Sequence, residues 1–367
     1  MKIGMLFSLT GPLAQMEQSI LDGALLAVDE INNDGGVRGQ DLRPAIYDDH
    51  SEVLSSARGI NHLCGTEHVN VIVGGYTSAS RVAMLPAIHA NRALLMYPTY
   101  FEGEEADPRV FYCGAAPNQY LADYLSWVAD NLGRRVYIIG SDYVYPRVLA
   151  EAIARHGVHL DVETVGSWYA PLGETNFQTV LDDIRRKNPS VIICNLVGMD
   201  STSAFYQQFH DAGFSAATLP IAATVTTEVD LAHMSPELTN GHFMTGTYFS
   251  GVDSDVNSSY RESLWKIRGQ RWSHPAQVGA YNAVHAIRIA AEHADSFDPA
   301  HLSAALLGVR FERNPEGLPF YFLNNHYSAH PSYVARASNG KYDVLEEFSP
   351  RLPEPWWSGK RSLTAPG

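Results

Sequence analysis

The sequence predicts an α/β protein made of two lobes, each built on a doubly wound parallel sheet. Apolar runs of strand length alternate with helical segments along most of the 367 residues, as in repeated strand–helix–strand units. The runs around 69–73 and 191–193 are almost wholly apolar, which is typical of strands buried on both faces. The alternation starts afresh near 115–118, and the chain is long enough for two domains.

The elements of the first lobe follow from the spacing of apolar residues. A strand over 2–7 precedes a helix over 15–33, whose apolar residues recur at helical spacing and whose end is marked by Gly35 and Gly36. The same reasoning predicts further strands over 42–47, 69–74 and 93–97, and helices over 53–64 and 78–91.

The second half repeats the alternation and then ends in strands. The pattern predicts helices over 117–131, 147–156, 177–186 and 202–213, between strands over 135–140, 160–167, 191–195, 219–223 and 242–245. Two late helices, 256–269 and 276–294, precede a strand-rich stretch over 319–345. The Pro- and Trp-containing end is expected to be irregular.

Charge and composition exclude some classes of protein. The 26 Lys and Arg against 40 Asp and Glu give a net charge of −14, which argues against direct binding of nucleic acid. No run approaches the roughly 18 apolar residues of a membrane span. The three scattered cysteines suit a reducing compartment, and the chain begins directly with a strand. We therefore expect a cytoplasmic protein, or an extracytoplasmic one whose signal peptide has been removed.

Enzyme and metal motifs give no support for catalysis. The sequence has no phosphate-binding loop, dinucleotide fingerprint, nucleophile elbow or HExxH motif. His326 and His330 are four residues apart, but in a loop or strand, where that spacing has no meaning for a metal site. Neither Ser78 nor Cys194 has an evident base beside it, so we expect no enzyme, no metal and no cofactor.

Polar, mostly uncharged side chains follow several predicted strands. Ligands of parallel sheets bind beyond the carboxyl ends of the strands, and a helix that begins there offers free backbone N–H groups. We expect two half-sites that face each other, one on each lobe. The candidate ligand-binding residues are Tyr76, Ser78, Tyr97 and Thr99 in the first lobe and Tyr143, Tyr145, Thr226 and Glu228 in the second.

The chemistry of this set predicts a small, polar and mostly neutral ligand. Tyrosines offer aromatic walls with hydroxyl groups, and no lysine lies in these segments. Arg81 and Arg147 are each assigned to the start of a helix, and neither is a dedicated cation for the site. An oxoacid ligand would need such a cation. Glu102 and Glu228 leave room for a ligand NH or ammonium group.

Several of these segments resemble the type I periplasmic-binding-protein family, in its branched-chain amino acid and amide/urea branch. The resemblance rests on the opening IGMLFSLTG, on YTS at 76–78, YPT at 97–99, APNQ at 116–119 and above all GSDYVYPR at 140–147. It extends over almost the whole chain and is strongest to amide sensors that repress aliphatic amidase operons.

The resemblance implies the domain organisation and the site. Two lobes would be joined by three crossings near 115–118, 247–252 and 320–325, with the first lobe over 1–117 and 252–322, the second over 118–251 and 323–350, and an irregular tail over 351–367. Ser78 would bind the ligand with Tyr76, Tyr97 and Thr99, and Tyr143, Tyr145 and Thr226 would approach from the other lobe. In amino-acid-binding relatives an acidic residue near Glu228 holds the ammonium group.

Two functions follow as hypotheses. In the first, the protein is a cytoplasmic sensor of short aliphatic amides or urea that regulates an amidase or nitrile-degradation operon. Ligand binding would release a regulatory protein partner such as an antiterminator. The alternative is a solute-binding receptor of an ABC importer for amides, urea or branched-chain amino acids. The resemblance is compatible with a homodimer.

Overall fold

The computed structural model describes residues 1–357, which form two compact units. Unit 1 contains 1–101, 105–115 and 248–331, and unit 2 contains 102–104, 116–247 and 332–357. The domain limits and hinge crossings implied by the resemblance stay predictions. Of the predicted irregular tail over 351–367, residues 358–367 lie outside the described residues.

The strands belong to two main sheets and one small hairpin. In chain order they are β1 (Lys2–Phe7), β2 (Arg43–Asp48), β3 (Val71–Gly74), β4 (Leu94–Tyr97), β5 (Val110–Tyr112), β6 (Arg135–Ser141), β7 (Glu163–Ala170), β8 (Val191–Asn195), β9 (Ile221–Ala223), β10 (Phe243–Gly246), β11 (Arg310–Phe311), β12 (Phe320–Tyr321), β13 (His330–Ser338) and β14 (Lys341–Arg351).

The helices lie between these strands. They are α1 (Ala14–Asn33), α2 (Val53–Gly65), α3 (Ser78–Ala90), α4 (Pro117–Asn131), α5 (Val144–Gly157), α6 (Gln178–Lys187), α7 (Met199–Asp211), α8 (Glu228–Leu231), α9 (Pro236–Thr239), α10 (Asp255–Arg268), α11 (Pro275–Ala294) and α12 (Pro299–Leu306). None of the helices within residues 1–357 is both long enough and apolar enough to cross a bilayer.

Unit 1 is built on a five-stranded parallel sheet in the order β2-β1-β3-β4-β5. Its core includes Ile3, Met5, Val71 and Val73, which have no or almost no exposed surface. Helices α1 and α11 pack closely against each other: a Cβ on Gly23 of α1 would lie 2.4 Å from the carbonyl oxygen of Gln277. The alternation of the sequence therefore becomes a sheet whose strands share one carboxyl edge.

Unit 2 contains a seven-stranded sheet in the order β14-β13-β10-β9-β8-β6-β7. The five strands from β10 to β7 are parallel to their neighbours, and β13 pairs with β10 in antiparallel fashion. Two parallel-sheet units covered by helices are the fold class that the sequence predicts. The strand-rich stretch at the end supplies the added edge of the second sheet.

Three local differences from the sequence predictions have physical reasons. Strand β5 is only three residues long, too short for a periodic signal. Helix α12 begins where the Asp298 side chain accepts a hydrogen bond from the Ala300 N–H at 2.9 Å, a capping signal in a short helix. Helix α5 begins at Val144 rather than 147, because Pro146 is tolerated in a first turn.

Candidate ligand-binding site

A tight turn at the end of β3 places Ser78 at the start of α3. The Gly75 N–H donates a hydrogen bond to the Leu6 carbonyl at 2.9 Å, which ties the turn to β1. Gly75 has a φ of +80°, and a Cβ there would lie 2.6 Å from the Met84 side chain. The positive φ is the condition that favours glycine here, because other residues rarely adopt it.

Ser78 is the first residue of α3 and is only 1% exposed. The preceding Thr77 caps the helix, since its Oγ1 accepts the Ser80 N–H at 3.1 Å. Ser78 is thus not needed as the cap, and helix geometry leaves the first N–H groups of α3 without acceptors inside the helix. The Ser78 Oγ accepts a hydrogen bond from Arg81 Nη1 at 3.2 Å. This end of α3 can offer donors to an oxygen atom of a ligand.

Arg81 is a buried cation that the sequence interpretation assigned only to a helix start. Its side chain has no exposed surface, and its Nε lies 3.0 Å from Glu105 Oε1. The guanidinium lies over the rings of Tyr97 and Phe101, with its central carbon 5.0 and 5.3 Å from the ring centroids. The i, i+3 spacing from Ser78 was the available sequence signal, because residues three apart share a helix face.

The other candidates of unit 1 lie around this corner. Tyr97 is fully buried, and its hydroxyl donates to the Tyr76 carbonyl at 2.6 Å, so this hydroxyl supports the backbone that leads into α3. The Tyr76 ring is partly buried against the core of unit 1. Thr99 is 6% exposed, and its Oγ1 makes a long contact of 3.5 Å with the Tyr100 carbonyl. Unit 1 thus brings all four candidates to neighbouring strand ends.

In unit 2, Tyr143 and Tyr145 lie at the start of α5 rather than in a loop. Tyr143 precedes the first helical residue, Tyr145 is 3% exposed, and their rings stack with centroids 6.4 Å apart. The Tyr145 hydroxyl is 2.7 Å from the Tyr120 hydroxyl. Arg147 is exposed and pairs with Asp142 at 2.7 Å, so it is a surface cation.

Thr226 and Glu228 lie just before and at the start of α8. Both are buried, at 1% and 2% exposure. The Thr226 carbonyl accepts the Tyr342 hydroxyl at 2.9 Å, and Glu228 Oε1 accepts the Tyr342 backbone N–H at 3.2 Å. Burial raises the pKa of the neighbouring Asp230 to about 6, although the Thr227 N–H and hydroxyl both bond to this carboxylate. Glu228 is therefore bonded to β14 of its own unit.

The two histidines considered for a metal have other roles. His330 is buried between Ser328 and Glu316, with Nε2 2.7 Å from the serine Oγ and Nδ1 2.8 Å from the carboxylate. His326 stacks on Phe111 with ring centroids 4.1 Å apart. Across residues 1–357 there is no group of three or more side chains suited to hold a metal ion.

Comparison with known proteins identifies the family. Residues 1–362 match the family described as periplasmic binding protein domain. The chain belongs to the periplasmic binding protein family. Members of this family bind solutes and are not enzymes, in agreement with the expectation from the sequence.

The individual relatives described here are distant but cover most of the chain. Leu/Ile/Val-binding protein homolog 3 of Brucella melitensis is 26% identical over 323 residues, 83% of this chain and 82% of the relative. LivJ from Streptococcus pneumoniae, solved with isoleucine, has a TM-score of 0.85 at 20% identity and covers 95% of this chain and 99% of that chain. A solute-binding protein of an ABC transporter from R. palustris, solved with 4-hydroxybenzoate, gives 0.85 at 22% identity over 97% and 98%. The predicted fold class is confirmed.

Membership of the periplasmic binding protein family corrects the expected location. The sequence analysis favoured the cytoplasm, because the chain begins directly with a strand. That expectation is wrong, since the matching family and the transporter-associated relatives point to a location outside the cytoplasm. The amide branch of the family is not represented among the relatives described above.

Proposed function

We propose that this protein is the solute-binding receptor of an ABC importer. Family membership supports the proposal, and so do the names of the relatives, which are a Leu/Ile/Val-binding protein homologue and two transporter binding proteins, solved in complex with isoleucine and with 4-hydroxybenzoate. The macromolecular partner is then the membrane permease of that importer. The solute is a small molecule held by the residues at the strand ends.

The proposed solute is a short aliphatic amide or urea. The observation that carries this choice is the buried Ser78 hydroxyl at the N-terminus of α3, beside backbone N–H groups that suit a carbonyl oxygen. Tyr76, Tyr97 and Thr99 line the same corner of unit 1. We propose Tyr143, Tyr145 and Thr226 as the solute-binding residues of unit 2, with aromatic rings against the apolar part of a solute.

Glu228 helps to separate an amide from an amino acid. An ammonium group would need a carboxylate as its counter-charge. Glu228 is 2% exposed and accepts the Tyr342 backbone N–H, so part of its hydrogen-bonding capacity is used within unit 2. This arrangement favours a neutral solute and keeps Glu228 as a supporting residue of the site.

Calorimetric titration tests the proposal. The panel is acetamide, propionamide, butyramide, urea, leucine, isoleucine and 4-hydroxybenzoate, each added to purified protein. We expect saturable binding of at least one amide or of urea, and a loss of about 1–3 kcal/mol in Ser78→Ala if the serine bonds the solute. Saturable binding of leucine or 4-hydroxybenzoate without any amide would overturn the choice of solute but not the receptor function.

A second candidate is the amide sensor of the sequence analysis. It rests on the tyrosine-containing segment 140–147, which resembles amide-sensing regulators, and the relatives reported above do not support it. Deletion of the gene distinguishes the two functions. Reduced uptake of radiolabelled acetamide indicates the importer receptor, whereas unchanged uptake with constitutive amidase expression indicates the sensor.

A further inference from the structure

The hydrogen bond from Arg81 to Ser78 determines where the serine hydroxyl proton can point. A guanidinium has only donors, so the Ser78 Oγ must accept from Arg81 Nη1 across the 3.2 Å contact. The single hydroxyl proton is therefore directed away from Arg81. Within residues 1–357 the Ser78 hydroxyl has no second hydrogen-bond partner, and its proton is available to a ligand.

The guanidinium is held in place by its own contacts. Its central carbon lies about equally far from the rings of Tyr97 and Phe101, at 5.0 and 5.3 Å, and its Nε is 3.0 Å from Glu105. The Glu105 carboxylate also accepts the Tyr112 hydroxyl at 2.7 Å. Arg81 and the carboxylate are thus fixed before a ligand arrives, which reduces the ordering that binding would otherwise require.

A positive charge beside an accepting hydroxyl oxygen strengthens that hydroxyl as a donor, because hydrogen bonds assisted by charge are stronger and cooperative. The Ser78 proton is then satisfied by a solute group that accepts a hydrogen bond, and a carbonyl or carboxylate oxygen is the strongest such acceptor in a small organic solute.

We propose that Arg81 is a positioning residue that directs the Ser78 hydroxyl proton towards the solute, and so favours solutes that present an acceptor oxygen, such as a carbonyl or a carboxylate. The inference rests on the proposed function, since it concerns the same site. It specifies the functional group of the solute that the site recognises, whereas the positions of the strand ends alone do not.

The test compares acetamide with thioacetamide, whose sulfur is a weaker acceptor of nearly the same shape. We expect wild-type protein to bind acetamide at least tenfold more tightly, since one charge-assisted hydrogen bond is at stake. Ser78→Ala should reduce that ratio to near one. Arg81→Met combined with Glu105→Gln removes the cation together with the charge that balances it, and should also reduce the ratio severalfold. Adding Ser78→Ala to this pair should bring the ratio to near one, the value expected for Ser78→Ala alone.

Thermal unfolding of each variant shows that it is folded, and Glu105→Gln alone is the matched control. If the Arg81→Met pair keeps the wild-type ratio while Ser78→Ala loses it, Arg81 has no positioning role and the inference is overturned. An unchanged ratio in Ser78→Ala overturns it as well. If wild-type protein binds neither compound nor any carboxylate of the panel, the proposed function itself fails.

Discussion

Glu17 lies in a buried chain of hydrogen bonds just beyond the end of β1. The Ser8 Oγ is 2.8 Å from Glu17 Oε1 and 2.6 Å from Asp49 Oδ1, and the Ser8 N–H donates to Glu17 Oε2 at 2.8 Å. A hydroxyl has one proton and cannot donate to two carboxylates at once. One carboxyl must therefore carry a proton. Burial, and then the charge of Asp49, raise the pKa of Glu17 to about 8.

The size of the effect follows from the difference between the folded and unfolded states. The ordinary pKa is 4.5 and the folded value is about 8, so the folded state keeps a proton that the unfolded state has lost between these pH values. At about 1.4 kcal/mol for each pKa unit, this amounts to roughly 5 kcal/mol. The stabilisation is complete below pH 4.5 and is lost as the pH rises to about 8.

Glu17→Gln should remove this pH dependence. The amide oxygen can accept the Ser8 N–H, and the amide NH2 can donate to the Ser8 Oγ, which then donates to Asp49. We expect the variant and the wild type to be about equally stable near pH 4.5, and the variant to be more stable by several kcal/mol at pH 8. Urea unfolding followed by circular dichroism, at intervals from pH 4.5 to 8.5, measures the difference.

The control is Glu262→Gln on the exposed face of α10, where hydrogen bonding to Lys266 lowers the glutamate pKa. This control should show the same dependence of the free energy of unfolding on pH between 4.5 and 8 as the wild type. Equal slopes in wild type and Glu17→Gln would refute the protonated state of Glu17. A large loss of stability in Glu17→Gln at every pH would show that the carboxylate itself is required.

Three further outcomes are expected. Tyr145→Phe should weaken solute binding by roughly 1–3 kcal/mol in calorimetry if its hydroxyl bonds the solute, whereas loss of only the 2.7 Å contact with Tyr120 would lower the melting temperature without changing affinity. Burial lowers the pKa of His274 to about 3, and its Nε2 lies 2.6 Å from the Ser19 Oγ. The free energy of unfolding should therefore fall as the pH drops from about 6.5 towards 3, and His274→Gln should make this fall smaller in unfolding measured at several pH values. Glu228→Gln should leave amide affinity within about twofold in calorimetry, since an amide carries no charge for the carboxylate to balance, and a larger loss would assign it a direct contact.

Much of the fold is predictable because its elements carry local signals. Strand β1 and helix α4 have the bounds that the apolar spacing and Pro117 predict. Strand β5 was missed because its pairing with β4, rather than its three residues, makes it a strand. The mixed character of the second sheet depends on the antiparallel register of β13 with β10, which no local pattern encodes.

The candidate site likewise contains one residue that local sequence signals reveal and one that they do not. Ser78 could be found because two glycines and a capping threonine mark the turn before α3. Arg81 was missed as a buried cation because its surroundings come from Tyr97, Phe101 and Glu105, which are brought to it only by the folded chain. The predicted cytoplasmic location was wrong because it rested on the first residues of the chain, whereas the family to which the whole chain belongs decided the location.

Titration of the purified protein with acetamide, urea and leucine tests the central claim most directly. The account predicts saturable, stoichiometric binding of acetamide or urea that is weakened in Ser78→Ala, with no comparable binding of leucine. Saturable binding of leucine that depends on Glu228, together with no binding of acetamide or urea, would contradict the account and make the protein an amino acid receptor.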